Sequence, residues 1–275
     1  MNAYIITTRQ NDQIDTQRKR LEAHGFRVKV VEGIKGAELK ASEYFQRIQF
    51  WRSRSGWMMT PGELGCALSH REALRLASES GQGVHLILED DFIVSDEALC
   101  WILQTCMNLR TGTLMHLGGL EGTPERIYRY VRGDAVTGVP GVFEVDPRDL
   151  AFLKRSVAYA VDAATARQLA DLVEQTPYVI DDHSYAITAG AVERVWFSWV
   201  VSHPLDLRHS SIDPERKRIN QIQRAASWKV KSLSEVFRKR SLQWKLAWRR
   251  LTTRRFRFLL HQQAKNQLPT EKNVT

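Results

Sequence analysis

Three adjacent carboxylates, Glu89, Asp90 and Asp91, follow directly on the apolar run Val84 to Leu88 in the stretch VHLILEDDFIV. Like charges at that spacing repel, and the repulsion eases when a cation sits among them. A cluster of hard oxygen ligands suits Mg²⁺ or Mn²⁺ better than zinc, and such an ion keeps waters and binds substrate phosphates. The competing reading is a solvated turn at a strand end in which a single acid has a role. A second pair, Asp181 and Asp182 in IDDHS, offers a base for an attacking hydroxyl or an ordinary helix cap. His209 in LRHSSID offers a metal ligand or a phosphate donor, although a lone histidine is more often structural. His70 carries the same two readings, because it lies on an apolar helical stripe. No GxGxxG, Walker-type glycine loop or GxSxG occurs, so dinucleotide, P-loop and nucleophile-elbow chemistries find no support.

Something must hold these groups in place. AYIITT and VKVV (28–31) predict strands on either side of a helix over residues 14–24. Ile14, Arg18 and Leu21 share one side of that helix and Gly25 suits its end, a βαβ pattern. Residues 35–57 are polar and aromatic, and predict a helix followed by a loop. Thr60, Pro61 and Glu63 mark the next helix start, with a capping box and a proline at the first position. Along it Ala67, His70, Leu74 and Ala77 form a stripe, and Gly81 can end it. The strand before Glu89 comes next, then a helix in EALCWILQTCMN and a strand in TLMHLGG. Residues 118–150 are rich in Gly and Pro and predict loop with a short hairpin at best. SVAYAVDAATARQLADLVEQ returns to strand and helix, and RVWFSWVVS reads as an aromatic strand. The alternation predicts an α/β fold with helices on both faces of a mostly parallel central sheet. In such sheets ligands sit beyond the carboxyl ends of strands, which is where Glu89 to Asp91 fall.

The chain has 275 residues, 43% hydrophobic and 26% charged, an ordinary globular balance. No apolar run is long enough to span a membrane, and MNAYIITTRQ lacks a signal-peptide pattern, so a cytoplasmic protein is expected. Cys66, Cys100 and Cys106 show neither zinc nor CxxC spacing and predict buried free thiols. The net charge of +9 is unevenly spread. Residues 214–261 hold 15 Lys and Arg against Glu215 and Glu235, a local +13, which leaves the rest of the chain at −4. A domain over 1–213 and a basic tail over 214–275 are therefore expected. In the tail Ser232 and Glu235 form a capping box, and Leu233, Phe237, Trp244, Trp248 and Leu251 share one face. A cationic helix with Trp and Phe on its apolar side suits an anionic membrane surface, contacted through residues 228–260. Packing on the domain is the alternative. Nucleic-acid binding ranks third, since no nucleic-acid motif accompanies the tail.

PGELGCALSHREAL, LILEDDFIV, IDDHS and HPLDLRHSSID, in that order over residues 3–213, resemble glycosyltransferase family 25, the lipopolysaccharide and lipo-oligosaccharide biosynthesis enzymes. The most specific part is GCALSH followed, about a score of residues later, by LEDD. The resemblance implies a GT-A-like fold and an inverting, metal-dependent transfer of a hexose, commonly galactose, from a UDP-sugar. It implies Mn²⁺ (or Mg²⁺) at the Glu-Asp-Asp motif, with Asp91, Glu89 and a late histidine, His209, as metal ligands. Glu89 and Asp90 would also meet the donor, together with Thr7, Thr8, Arg9, Gly36, Ser69 and His70. Asp181 or Asp182 would be the general base. The acceptor implied is a lipid-linked oligosaccharide, reached from the inner face of a bacterial inner membrane. The family's usual Asn-Leu and Arg-rich turn after the first strand is replaced here by Thr7, Thr8, Arg9 and Gln10. Two other classes compete: a metal-dependent nucleotidyltransferase or phosphohydrolase on the same carboxylates, and a non-catalytic sugar- or lipid-binding module. The oligomeric state is not readable from the sequence.

Overall fold

The computed structural model describes residues 1–9, 12–81, 83–107, 109–121 and 131–205, with 215, 216, 218, 219 and 221 beyond them. His209 and the tail helix expected over 228–260 lie outside the described residues. The strands are β1 (Asn2–Thr7), β2 (Arg27–Glu32), β3 (Val84–Glu89), β4 (Ile93–Val94), β5 (Thr113–Gly118), β6 (Gly133–Ala135), β7 (Phe143–Val145), β8 (Ala158–Asp162) and β9 (Arg194–Ser202). The helices are α1 (Asp12–Ala23), α2 (Ala41–Ser55), α3 (Pro61–Glu79), α4 (Asp96–Cys106), α5 (Ala163–Gln175) and α6 (His183–Thr188).

All the strands join one sheet in the order β2-β1-β3-β8-β5-β9-β7-β6, with β4 paired to β9 off this path. β1 runs parallel to β2 and β3, and β5 runs parallel to β9. β8 lies between these two groups, antiparallel to both β3 and β5. β1, β2, β3, β5, β6 and β9 therefore share one direction, while β4, β7 and β8 oppose it. The sheet is mixed, with its shared direction interrupted at β8.

Alternation along each strand sends side chains to opposite faces. Ala3 and Ile5 of β1, with Leu86 and Leu88 of β3, face Leu21 of α1 and Leu99 and Ile102 of α4. Tyr4 and Ile6, with Ile87 of β3, face Leu74 and Ala77 of α3 and Leu169 of α5. The α/β class with helices on both faces is as expected. Residues 118–150 hold the short hairpin allowed for them, since β6 and β7 pair antiparallel and β7 lies against β9.

Helix α3 starts as its sequence dictates. Thr60 Oγ1 accepts from the Glu63 amide at 3.0 Å, and Glu63 Oε2 accepts from the Thr60 amide at 2.8 Å. The loop at 33–36 lies so close against this helix that no side chain fits between them. A Cβ on Gly36 would stand 1.7 Å from the Pro61 carbonyl oxygen, and one on Gly65 would stand 2.4 Å from that of Ile34. The cysteines are free, as expected, but only Cys106 is buried. Cys100 is exposed, being on the solvent side of α4, and Cys66 is part-buried. Among the described residues no helix is long and apolar enough to cross a membrane.

Candidate active site

The three carboxylates at the end of β3 do not act alike. Asp90 turns inward, where Thr7 Oγ1 lies 2.6 Å from its Oδ2. Burial pushes the Asp90 carboxyl above its ordinary value, the Thr7 hydrogen bond opposes this, and Asp91 adds to it. Asp91 turns the other way, with Oδ2 at 2.8 Å from His203 Nε2. Its Oδ1 is buried without a hydrogen-bond partner among the described residues. His203 Nδ1 lies 2.7 Å from the Pro204 carbonyl, which can only accept, so Nδ1 carries the proton. Nε2 then faces Asp91 either as part of an imidazolium or with a bare lone pair. Glu121 fixes this corner by accepting from the Trp199 indole at 2.8 Å and from the His203 amide at 3.0 Å.

β8 carries the second acidic pair to the first. Because β8 is antiparallel to β3, its lead-in, Lys154 to Val157, lies at the carboxyl end of β3. The Glu89 amide donates to the Val157 carbonyl at 2.8 Å, and the Arg155 amide donates to Asp181 Oδ2 at 3.1 Å. Arg155 sits at φ +71°, a left-handed conformation that is rare outside glycine and typical of functional sites. Asp182 does the work of a helix cap, since Oδ1 accepts from Ser184 Oγ at 2.6 Å and from the Tyr185 amide at 3.2 Å. Asp181 takes no part in that cap. Burial would raise its pKa, but Lys154, the Arg155 amide, His183 and Arg216 outweigh burial and hold it below the ordinary carboxylate value. It is an anion at neutral pH.

Two histidines lie beneath Asp181 with ring centroids 5.4 Å apart. Burial lowers His116 to about 3, and the imidazole is held neutral between the Arg155 carbonyl at 2.8 Å and the Gly118 amide at 3.2 Å. Burial lowers His183 to about 4, with Asp181 opposing, and its Nε2 has no hydrogen-bond partner among the described residues.

A third group stands on α3. Cys66, His70 and Glu89 place a sulfur, a nitrogen and an oxygen within 4.8 Å of one another. His70 Nε2 lies 3.3 Å from Glu89 Oε1, and Nδ1 lies 3.0 Å from the Tyr159 hydroxyl. Residues 215 and 216 also reach this helix. Glu215 Oε2 accepts from the Gly62 amide at 2.7 Å, and Arg216 donates to Glu63 Oε1 at 2.6 Å. Arg216 is close enough to influence both Asp181 and Cys66. The two acidic clusters, the α3 group and one arginine thus converge on the carboxyl end of β3.

Some residues singled out in the sequence serve the scaffold of this region. Thr7 is buried beneath Asp90, while Thr8 and Arg9 are exposed beside it. Gly36 is buried against α3, and Ser69 Oγ accepts from the Ile34 amide at 2.7 Å, fixing the same loop. Sequence reasoning passed over His203, Glu121, Lys154, Arg155, Cys66 and Arg216. A signal existed for His203, which follows the end of β9 as Asp90 follows the end of β3.

Residues 1–121 match the family model of glycosyltransferase family 25 (LPS biosynthesis protein). No curated protein sequence matches the chain. Among solved structures, a mannose-1-phosphate geranyltransferase from Thermus thermophilus is 12% identical over 74% of each chain, with a TM-score of 0.39. A Bacillus anthracis protein described as a glucose-1-phosphate thymidylyltransferase, solved with sucrose, is 10% identical over 81% of this chain and 94% of its own, with a TM-score of 0.38. Likenesses this distant carry no argument about chemistry. The family match covers residues 1–121, which include Cys66, His70 and Glu89 to Asp91 but neither His203 nor Asp181.

Proposed function

From a chain whose first 121 residues match glycosyltransferase family 25, we propose an inverting glycosyltransferase that moves a hexose from a UDP-sugar onto a lipopolysaccharide-type acceptor. Galactose is the sugar the family resemblance favours. The observation that carries the reading is the convergence of two acidic sites with different surroundings. Asp91 has one buried oxygen without a hydrogen-bond partner among the described residues and faces a histidine nitrogen that is unprotonated when the ring is neutral. That donor set, two oxygens and a nitrogen lone pair, fits a divalent cation such as Mn²⁺ or Mg²⁺. Asp91 and His203 would hold the ion, which when bound supplies positive charge to the departing diphosphate. His209, which lies outside the described residues, stays a further candidate ligand.

The chain's own groups have separable tasks. Asp181 accepts the proton of the attacking acceptor hydroxyl, held by the Arg155 amide with Lys154 at 4.0 Å. Asp182 positions it by capping α6. Arg216 adds a fixed cation to the same end of the site. Thr7 holds Asp90 in place, and Thr8, Arg9 and the Gly36 loop border the nucleotide side together with Ser69, His70 and Glu89. The basic tail docks the enzyme on the anionic inner face of a bacterial inner membrane, where a lipid-linked acceptor is found.

The test is UDP release from a panel of UDP-, GDP- and CMP-sugars, with Mn²⁺ or with EDTA. Metal-dependent turnover of one UDP-hexose, lost in Asp91→Asn, is expected. Binding of no nucleotide sugar would overturn the reading, and pyrophosphate release from a nucleoside triphosphate would replace it with a nucleotidyltransferase. Truncation after residue 227 should abolish sedimentation with anionic liposomes. Unchanged sedimentation would remove the membrane role.

A further inference from the structure

We infer that Cys66, His70 and Glu89 form a binding site for a borderline transition-metal ion of the Zn²⁺ class, separate from the hard-cation position at Asp91 and His203. Cys66 and His70 lie one helical turn apart on α3, the i, i+4 spacing that presents two ligands from one helix face. The third ligand comes from the end of β3. Sulfur, imidazole and carboxylate are the donors zinc takes, and three protein ligands leave a fourth position for water.

The His70–Glu89 distance fits an ion between them better than it fits a hydrogen bond. His70 Nε2 and Glu89 Oε1 are 3.3 Å apart, long for a charge-assisted hydrogen bond. Two ligands each about 2.0–2.1 Å from a tetrahedral centre stand about 3.3–3.4 Å from each other. The support of the histidine fits as well. With Nε2 turned to the ion, Nδ1 carries the ring proton and donates to the Tyr159 hydroxyl at 3.0 Å. Metal-ligating histidines are commonly oriented by such a bond on the other nitrogen. Tyr159 also stacks on the ring, with centroids 5.7 Å apart and planes at 20°. A path for an ion exists, since Cys66 is only part-buried and the Glu89 side chain is 30% exposed.

Burial raises the Cys66 thiol well above its ordinary value, Glu89, Asp181 and Glu63 add to this, and Arg216 opposes it. The ion must therefore displace a proton, so its uptake strengthens as pH rises. The site does not depend on the sugar-transfer reading. Metal uptake can fail while turnover stands, and the reverse.

The experiment titrates the untagged full chain, reduced and stripped with chelator, with Co²⁺ as an optical stand-in and then with Zn²⁺ in competition. One thiolate-bound Co²⁺ per chain is expected, with a near-ultraviolet thiolate-to-cobalt charge-transfer band that Zn²⁺ removes. Cys66→Ser should abolish the band and weaken Zn²⁺ binding by at least about 100-fold. Cys100→Ser and Asp91→Asn should keep the band. Glu89→Gln, which retains the thiol, should weaken Zn²⁺ binding at least about tenfold and gives a second variant should Cys66→Ser fail to fold. Absence of a thiolate band in the unaltered chain overturns the inference. So does a band that survives Cys66→Ser or disappears in Asp91→Asn.

Discussion

Asp90–Asp91 and Asp181–Asp182 are both adjacent acid pairs at the same end of the sheet, and they resolve their repulsion in the same way. In each pair one carboxylate is tied to a nearby hydroxyl or a helix start and the other meets a histidine or a cationic side chain. Asp90 is tied to Thr7 and Asp182 caps α6, while Asp91 meets His203 and Asp181 meets the Arg155 amide. The pairs differ in what faces that second member. Asp91 faces the His203 ring and has a buried oxygen with no hydrogen-bond partner among the described residues, which is why the cation is proposed there. Asp181 faces Lys154 and a backbone amide, the surroundings of a fixed anion able to take a proton. Two neighbouring acids are therefore poor evidence of shared chemistry until their partners are known.

This contrast can be broken most forcefully at Asp91. Asp91→Asn should lower metal-dependent nucleotide-sugar turnover on the order of 10³-fold, measured as UDP release. Loss of similar size in Asp90→Asn would erase the distinction within the first pair. Next comes Asp181→Asn, which should reduce transfer to the true acceptor by about 10²–10⁴-fold while slow donor hydrolysis persists. Asp182→Ala should instead cost about 1 kcal/mol of stability through the lost cap, with the greater part of transfer retained. Equal transfer losses in the two variants would put both acids in the chemistry.

The floor beneath Asp181 gives a pH prediction. His116 has its folded value lowered to about 3 and His183 to about 4, against about 6.5 in the unfolded chain. As pH falls below about 6.5 the unfolded chain takes up protons that the folded one refuses. The stability these residues contribute is thus full above that value and is lost progressively toward about pH 3, by several kcal/mol. Denaturation midpoints followed from about pH 7 to about pH 4 should fall, and His116→Gln should flatten that fall. The smallest effect expected is at the start of α3, where Thr60→Ala removes half of the capping box and should cost about 1 kcal/mol in urea denaturation.

Much of the framework was legible in the chain itself. The apolar run ending in Glu89, the capping box at Thr60 and the stripe of Ala67, His70, Leu74 and Ala77 each follow from local physics. These features became β3 and α3, with all four stripe residues buried. The place of β8 was not legible, because a five-residue strand does not encode which strands flank it. Asp181 and Asp182 could not be separated, since a turn decides which of two neighbours points inward. Cys66 is hidden in the sequence because its i, i+4 partner, His70, belongs to the apolar stripe. His203 gives way to His209 in a sequence reading, although both follow the same strand.

β8 has a consequence for synthesis. Residues 2–89 contain everything needed to pair β1, β2 and β3, yet β3 reaches β5 only through residues 158–162. A ribosome that has delivered residues 1–121 has made the whole segment matched by the family and an open, apolar sheet edge. That edge waits for about forty more residues, several seconds at typical elongation rates. A fragment ended at 121 should aggregate rather than fold, and a nascent chain paused there should recruit chaperones.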